Sequence, residues 1–161
     1  MFNKLLGIFL LLLTFQVSAN QDIQKDTQCL AENIYFEARN QATAGWLGIA
    51  AVTINRVLLE KFPDSICEVV YQGPTYAWSE LPILHKCQFS WYCDGVEEDV
   101  EDIEMFFQIM YFAKLMLGSK GMMFDVTDGA THYHNDSVEP DWAKDMTRTV
   151  RIDNHIFYRE D

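Results

Sequence analysis

The chain has 161 residues, of which 49% are hydrophobic and 14% aromatic, and its formal net charge is −12. This length suits one domain with a substantial core. So acidic a protein is a poor candidate for binding nucleic acid or anionic membranes, and we expect hydrogen bonds and aromatic contacts to hold its substrate.

The first nineteen residues have the pattern of a secretory signal peptide. Lys4 gives a positive start, residues 5–13 form an apolar run, and Val17, Ser18 and Ala19 end it with small side chains. Because the run is too short to span a bilayer comfortably, we expect cleavage after residue 19. The prediction is a signal peptide over 1–19, one domain over 20–161, and an exported monomer, periplasmic or secreted.

The four cysteines are expected to form two disulfides in an exported protein. Cys87 and Cys93 enclose five residues and could close that loop, which would leave Cys29 to pair with Cys67. Three connectivities are possible, and the spacing does not choose among them. A zinc site is less favoured because no Cys-x-x-Cys pair occurs.

The hydrophobic pattern predicts a chain whose helices precede its strands. In chain order, the predicted elements are a loose leader (20–26), two helices (27–39 and 44–59), a short helix or strand (66–71), a loop (73–86), a third helix (100–117), a turn-rich segment (125–135) and two strands (147–152 and 155–159). The fold class is therefore α+β: a single helix-rich domain with a small C-terminal β hairpin.

The third predicted helix is apolar on most of its surface. We expect it to bury Ile103, Phe106, Phe107, Met110 and Leu117. The acidic segment before it lacks the spaced ligands and central glycine of a calcium-binding loop. Acidic residues are favoured at a helix N-terminus, which explains them without a metal.

Glu37 stands where the helical pattern calls for an apolar side chain. Apolar residues in 28–39 repeat at a helical period, and at about 100° per residue Glu37 lies roughly 20° from Leu30. A carboxyl group held among apolar neighbours loses hydration when charged, which raises its pKa and suits a general acid near neutral pH. The alternative is a glutamate at the edge of the core, paired with Arg39 or Arg56.

Further polar and aromatic side chains lie in the segments 88–91, 129–135 and 140–142, the last followed by 155–159. Amides, hydroxyls and flat aromatic faces together suit a sugar-binding groove. Each segment alone is a weak signal, because tryptophans are more often core residues than ligand platforms. The candidate substrate-binding residues are Gln88, Phe89, Ser90, Trp91, Thr131, His132, Tyr133 and Trp142.

In this order, the segments resemble the SleB-type cell-wall hydrolases, the family that includes the spore cortex-lytic enzymes. The resemblance rests on IYFEAR at 34–39, AAVTINRV at 50–57, ICEVVYQ at 66–72, CQFSW at 87–91, GATHYHN at 129–135, EPDWA at 139–143 and HIFYR at 155–159. It implies a lysozyme-like domain that acts on the glycan strands of peptidoglycan, with Glu37 as its catalytic acid.

Two departures from that family stand out. Family members often carry glycine and glutamate where this chain has Asn40 and Gln41, so a second acidic group near the helix end is missing. Spore enzymes of the family often add a peptidoglycan-binding domain, for which we expect no room here. A spore role is therefore not implied.

The predicted reaction is cleavage between muramic acid and glucosamine. Such cleavage needs a proton for the leaving oxygen and stabilisation of an oxocarbenium-like centre. With one placed carboxylate, the 6-hydroxyl of muramic acid could attack internally and give a 1,6-anhydro product, as in a lytic transglycosylase, with no cofactor or metal. Asp125, Asp128, Asp136 and Glu139 are candidates for a second carboxylate, but turn and capping roles explain them equally well.

Two other classes of function remain as alternatives. One is an N-acetylmuramoyl-L-alanine amidase or another metal-dependent peptidoglycan hydrolase, in which His132 and His134 on one side of a strand would bind zinc with His155. No His-Glu-x-x-His motif supports it. The other is a carbohydrate-binding protein or a lysozyme inhibitor, which would not explain an acid among apolar residues.

Overall fold

The computed structural model describes residues 21–118 and 125–161, which form helices followed by a small antiparallel sheet. The helices are α1 (21–38), α2 (Thr43–Val57), α3 (Ile66–Val70) and α4 (Ile103–Gly118), and the strands are β1 (His132–Asn135), β2 (Thr147–Ile152) and β3 (His155–Arg159). Short 3-10 turns occupy Ser90–Cys93 and Asp141–Asp145. The strand order is β1-β3-β2.

The predicted α+β class is confirmed, and the sheet contains one strand more than the predicted hairpin. The predicted hairpin is present as β2 and β3. Strand β1 lies at the end of the segment predicted to be turn-rich, and it adds a third strand by pairing antiparallel with β3. The short element left open between helix and strand is helix α3, whose first turn is capped by the Ser65 hydroxyl.

At the N-terminal end, helix α1 is longer than predicted. Residues 21–26 are helical, so the expectation of a loose leader was wrong for them. The predicted signal peptide lies outside the described residues. Within 21–118 and 125–161, no helix is both long and apolar enough to cross a membrane.

Helix α4 buries only part of the predicted face: Phe106, Met110 and Leu117 are partly buried against the core, but the other two predicted residues are not. Ile109 and Ala113 are fully buried, whereas Ile103 and Phe107 are 62% and 68% exposed. The prediction failed for these two residues because apolar residues surround this helix, so its period does not select one face.

Two disulfides join the elements in one of the three connectivities that the sequence left open. Cys29–Cys67 links α1 to α3, and Cys87–Cys93 closes a loop that we call the disulfide loop (87–93). Among the residues described, no cysteine is free.

A buried asparagine ties this loop to the helices. The Asn33 side chain in α1 donates to Thr53 Oγ1 in α2 at 3.0 Å and accepts from Trp91 Nε1 in the disulfide loop at 3.0 Å. All three side chains are buried. Because buried polar groups are costly unless paired, this network selects one arrangement of α1, α2 and the loop.

Candidate active site

Glu37 lies in the last turn of α1, partly buried between the sheet and α2. Burial raises the pKa of its carboxyl group from 4.5 to about 7, although the Tyr133 hydroxyl and the Arg56 charge both lower it. Burial outweighs the two neighbours because it removes water from the charged carboxylate. A carboxyl group with this pKa can both donate and accept a proton near neutral pH.

Arg56 is a buried positive charge held in one position by several contacts. Its Nε donates to the backbone oxygen of Thr131 at 2.8 Å. Its guanidinium carbon lies 5.2 Å from the centre of the Phe89 ring and 5.3 Å from that of Phe62. Burial lowers the pKa of Arg56, while Tyr133 and Glu37 raise it. This arginine therefore contributes a fixed charge beside the candidate acid.

Tyr133 on β1 is the second polar neighbour of Glu37. Its ring lies against His155 at 4.9 Å, Phe157 at 5.6 Å and Phe89 at 6.4 Å between centroids. Its hydroxyl is buried and makes no hydrogen bond of standard geometry, yet it lies close enough to Glu37 to lower the pKa of that carboxyl group. Aromatic packing therefore places this hydroxyl at the acid.

The disulfide loop contributes buried and exposed candidates. Phe89 is buried beneath Arg56 and beside Tyr133. Trp91 is also buried, stacked on Phe36 at 4.7 Å, so its ring supports the loop against α1. Gln88 and Ser90 are exposed on the same loop and are free to reach a substrate.

Other candidates form a separate cluster around Trp142. Side chains alternate along a strand, so His132 and His134 leave β1 on the opposite side from Tyr133. Trp142 lies 5.5 Å and 5.7 Å from their rings. Thr131 is buried and connects the regions, because its oxygen accepts from Arg56 and its hydroxyl lies 2.9 Å from His132 Nδ1.

The histidines proposed as zinc ligands have other partners. His134 is bonded through Nε2 to the Tyr158 hydroxyl at 3.0 Å and through Nδ1 to a backbone oxygen. His155 Nδ1 contacts Gln41 at 3.2 Å. Burial and Arg56 lower the pKa of His132 to about 4. In the part of the chain that the structure describes, no group of three or more ligating side chains could hold a metal ion.

The carboxylates considered as a second catalytic group have structural partners. Asp125 accepts two backbone N–H bonds and one from Asn55, and despite burial these bonds lower its pKa. Asp128 and Asp136 each pair with an arginine. Glu139 is exposed.

Sequence reasoning underrated three residues of this site. Arg56 was considered only as a possible partner for Glu37, although its position in a buried helix was a usable signal. Gln41 was seen only as a departure from the family, and His155 as part of a possible sugar-binding segment or as a zinc ligand. The contact between these two joins residues 114 positions apart, and no local pattern predicts such a pair.

Comparison with known proteins identifies relatives over most of the chain. A family described as Cell Wall Hydrolase matches residues 40–158. A spore cortex-lytic enzyme from Halalkalibacterium halodurans is 28% identical over 133 residues, covering 82% of this chain and 34% of that protein. One from Bacillus cereus is 24% identical over 135 residues, covering 83% and 44%. The chain thus spans less than half the length of these relatives.

Two solved structures share the fold. The catalytic domain of the Bacillus cereus SleB protein matches with a TM-score of 0.60 at 23% identity, covering 84% of this chain and 91% of that one. The catalytic domain of the germination-specific lytic transglycosylase SleB from Bacillus anthracis matches with a TM-score of 0.56 at 25% identity, covering 83% and 93%. The chain belongs to the cell wall hydrolase family.

Proposed function

We propose that this protein cleaves the glycan strand of peptidoglycan between muramic acid and glucosamine, as an exported lytic transglycosylase. The observation that carries the proposal is Glu37, a carboxyl group with a pKa raised to about 7 at the meeting point of α1, α2 and β1. The family match begins at Asn40, after this glutamate, so its catalytic role rests on the geometry and on the resemblance of the surrounding IYFEAR segment.

In the first half of the reaction, Glu37 acts as the acid. It gives its proton to the glycosidic oxygen while the bond from that oxygen to C1 of muramic acid breaks. The electron pair stays on the oxygen, which leaves as a glucosamine hydroxyl. Arg56 stabilises the carboxylate that results, since a fixed positive charge favours the ionised form.

In the second half, Glu37 acts as the base. The 6-hydroxyl oxygen of muramic acid forms a bond to C1 and returns its proton to the Glu37 carboxylate, which gives a 1,6-anhydro sugar and consumes no water. This route suits a site with one acid, because hydrolytic glycosidases commonly use a second carboxylate. Asp125, Asp128 and Asp136 are each held by other partners.

We infer that exposed side chains on the disulfide loop and around Trp142 hold the substrate. Gln88 and Ser90 on the disulfide loop offer an amide and a hydroxyl. Trp142 and His132, on the other side of β1, are partly exposed and offer an aromatic face and an imidazole. These contacts require no metal and no cofactor.

The test is the mass of the sugar ends that the purified protein releases from peptidoglycan. We expect 1,6-anhydro muramic ends, which are lighter by one water than hydrolysed ends. The Glu37→Gln variant should release none while staying folded, and Glu32→Gln, the same substitution earlier in the same helix, should remain active.

Other products would contradict the proposal in distinct ways. Reducing muramic ends would identify a hydrolase, and reducing glucosamine ends would show that the other glycosidic bond is cut. Freed stem peptides, with loss of activity in a chelator, would favour a metal-dependent amidase. An active Glu37→Gln variant would remove Glu37 from the mechanism.

A further inference from the structure

We propose that Gln41 and His155 are positioning residues that hold the Tyr133 hydroxyl against Glu37. The proposal rests on the role proposed above for Glu37 and extends it to two residues that do not touch the acid's carboxyl group. Its basis is a continuous set of contacts from the turn after α1, through β3, to β1.

The contact between Gln41 and His155 favours one tautomer of the His155 ring. The Gln41 amide nitrogen lies 3.2 Å from His155 Nδ1 and 3.5 Å from the backbone oxygen of Glu37. In this orientation the amide nitrogen, which only donates, faces both atoms, and Gln41 Oε1 is buried without a hydrogen-bond partner. His155 Nδ1 therefore accepts, and the ring hydrogen lies on Nε2.

The site is built closely around this amide. Gln41 is held in the turn by its backbone N–H, which donates to Ala38 at 2.9 Å. A Cβ added to Gly45 would lie 2.4 Å from Gln41 Oε1 and 2.9 Å from Gln41 Cβ, so α2 passes close to this side chain at a glycine. The side chain is thus confined beside His155.

The second contact joins His155 to Tyr133. Their rings meet edge to face, with centroids 4.9 Å apart and planes at 69°. His155 is 4% exposed. Phe157 and Phe89 also pack on Tyr133, but their rings are apolar and form no hydrogen bonds. His155 is therefore the neighbouring ring that a polar side chain holds in position.

Burial favours the neutral form of His155. Burial lowers the pKa of its imidazole, His134 also lowers it, and Asp136 and Asp153 raise it. In a neutral imidazole, Nδ1 either carries the hydrogen and donates, or lacks it and accepts. The Gln41 amide nitrogen donates, so it favours the tautomer in which Nδ1 accepts. Without that amide, the buried Nδ1 loses its partner and the ring no longer has one preferred orientation.

A change at Gln41 would affect the pKa of Glu37 by displacing the Tyr133 hydroxyl. The charged and polar groups that act on Glu37 are Tyr133 from β1 and Arg56 from α2. Tyr133 lowers the pKa of Glu37, so a displaced hydroxyl lets that pKa rise. A substitution at Gln41 should therefore change how Glu37 titrates, although Gln41 carries no charge.

The experiment is a carbon-13 NMR titration of the Glu37 carboxyl group in the full chain. Tyr133→Phe should raise the measured pKa, because it removes the hydroxyl that lowers the pKa of Glu37 in the native protein. Gln41→Leu should raise it in the same direction by less. Asn40→Leu, an exposed neighbour in the same turn, should leave it unchanged.

Nitrogen-15 spectra of His155 test the first step independently. We expect the hydrogen on Nε2 in the native protein and a mixture of both tautomers in Gln41→Leu. A Gln41→Leu variant that loses stability but keeps both the native tautomer and the native Glu37 titration would overturn the proposal. So would a Tyr133→Phe variant with an unchanged Glu37 titration.

Activity measurements separate this proposal from the proposed function. If the native protein cleaves peptidoglycan, the limb of its pH profile that reports Glu37 should move to higher pH in Gln41→Leu, as the titration does. If the native protein releases no product, the proposed function fails, while the NMR titrations still decide whether Gln41 and His155 position Tyr133.

Discussion

Replacing Glu37 by glutamine should make the protein inactive and, at alkaline pH, more stable. Folding raises the pKa of this carboxyl group from 4.5 to about 7 because burial disfavours its charge. Below about pH 4.5 the group is protonated in both the folded and the unfolded chain, so it does not lower the free energy of unfolding. Between about pH 4.5 and 7 the folded chain binds more protons than the unfolded one, so the free energy of unfolding falls as pH rises.

The size of this effect on the free energy of unfolding follows from the shift in the pKa of Glu37. A tenfold change in an ionisation constant corresponds to about 1.4 kcal/mol, so the ionised Glu37 costs the native protein about 3 kcal/mol at pH 8 and above. Glutamine is never charged and escapes this cost. Relative to the native protein, Glu37→Gln should therefore gain about 3 kcal/mol between pH 4.5 and pH 8.

Urea unfolding at a series of pH values measures this difference. Any cost of fitting an amide beside Tyr133 and Arg56 is the same at every pH, so only the pH-dependent part reports the burial of the charge. A difference between the two proteins that stays constant from pH 4.5 to 8 would refute the argument that Glu37 is desolvated. The reason for assigning it as the acid would then be lost.

Three stability predictions concern the scaffold. Asn33→Ala should lower the free energy of unfolding in urea by about 1–3 kcal/mol, since it leaves the buried Trp91 Nε1 without an acceptor and removes the donor to Thr53 Oγ1; a loss below about 0.5 kcal/mol would mean that the network contributes little. Gly48→Ala should cost about 1–3 kcal/mol, because its Cβ would lie 2.5 Å from the Phe157 ring; an unchanged thermal midpoint would show that the strand moves away freely. Replacing Cys29 and Cys67 together by alanine should cost about 3–4 kcal/mol, as expected for a closed loop of this length; an unchanged urea midpoint would contradict this.

The local hydrophobic pattern was enough to identify Glu37 as the candidate acid, because that pattern lies within three turns of one helix. Leu30, Ile34 and Ala38 are fully buried, as their spacing predicts, and Glu37 shares their side of α1. Burial at that position, where the sheet and α2 cover the helix, raises the pKa of Glu37 to about 7. The groups that moderate it, Tyr133 and Arg56, could not be assigned from their own segments.

The amino-acid sequence by itself determined the α+β class, the helices around Glu37, and the C-terminal hairpin, because each depends on periodicity over a few neighbouring residues. Tertiary structure decided which face of the uniformly apolar α4 is buried and that β1 pairs with β3 as a third strand. It also decided that Gln41 meets His155. These outcomes depend on contacts between distant segments, where the free energy of burying surface and pairing polar groups selects among local alternatives of similar energy.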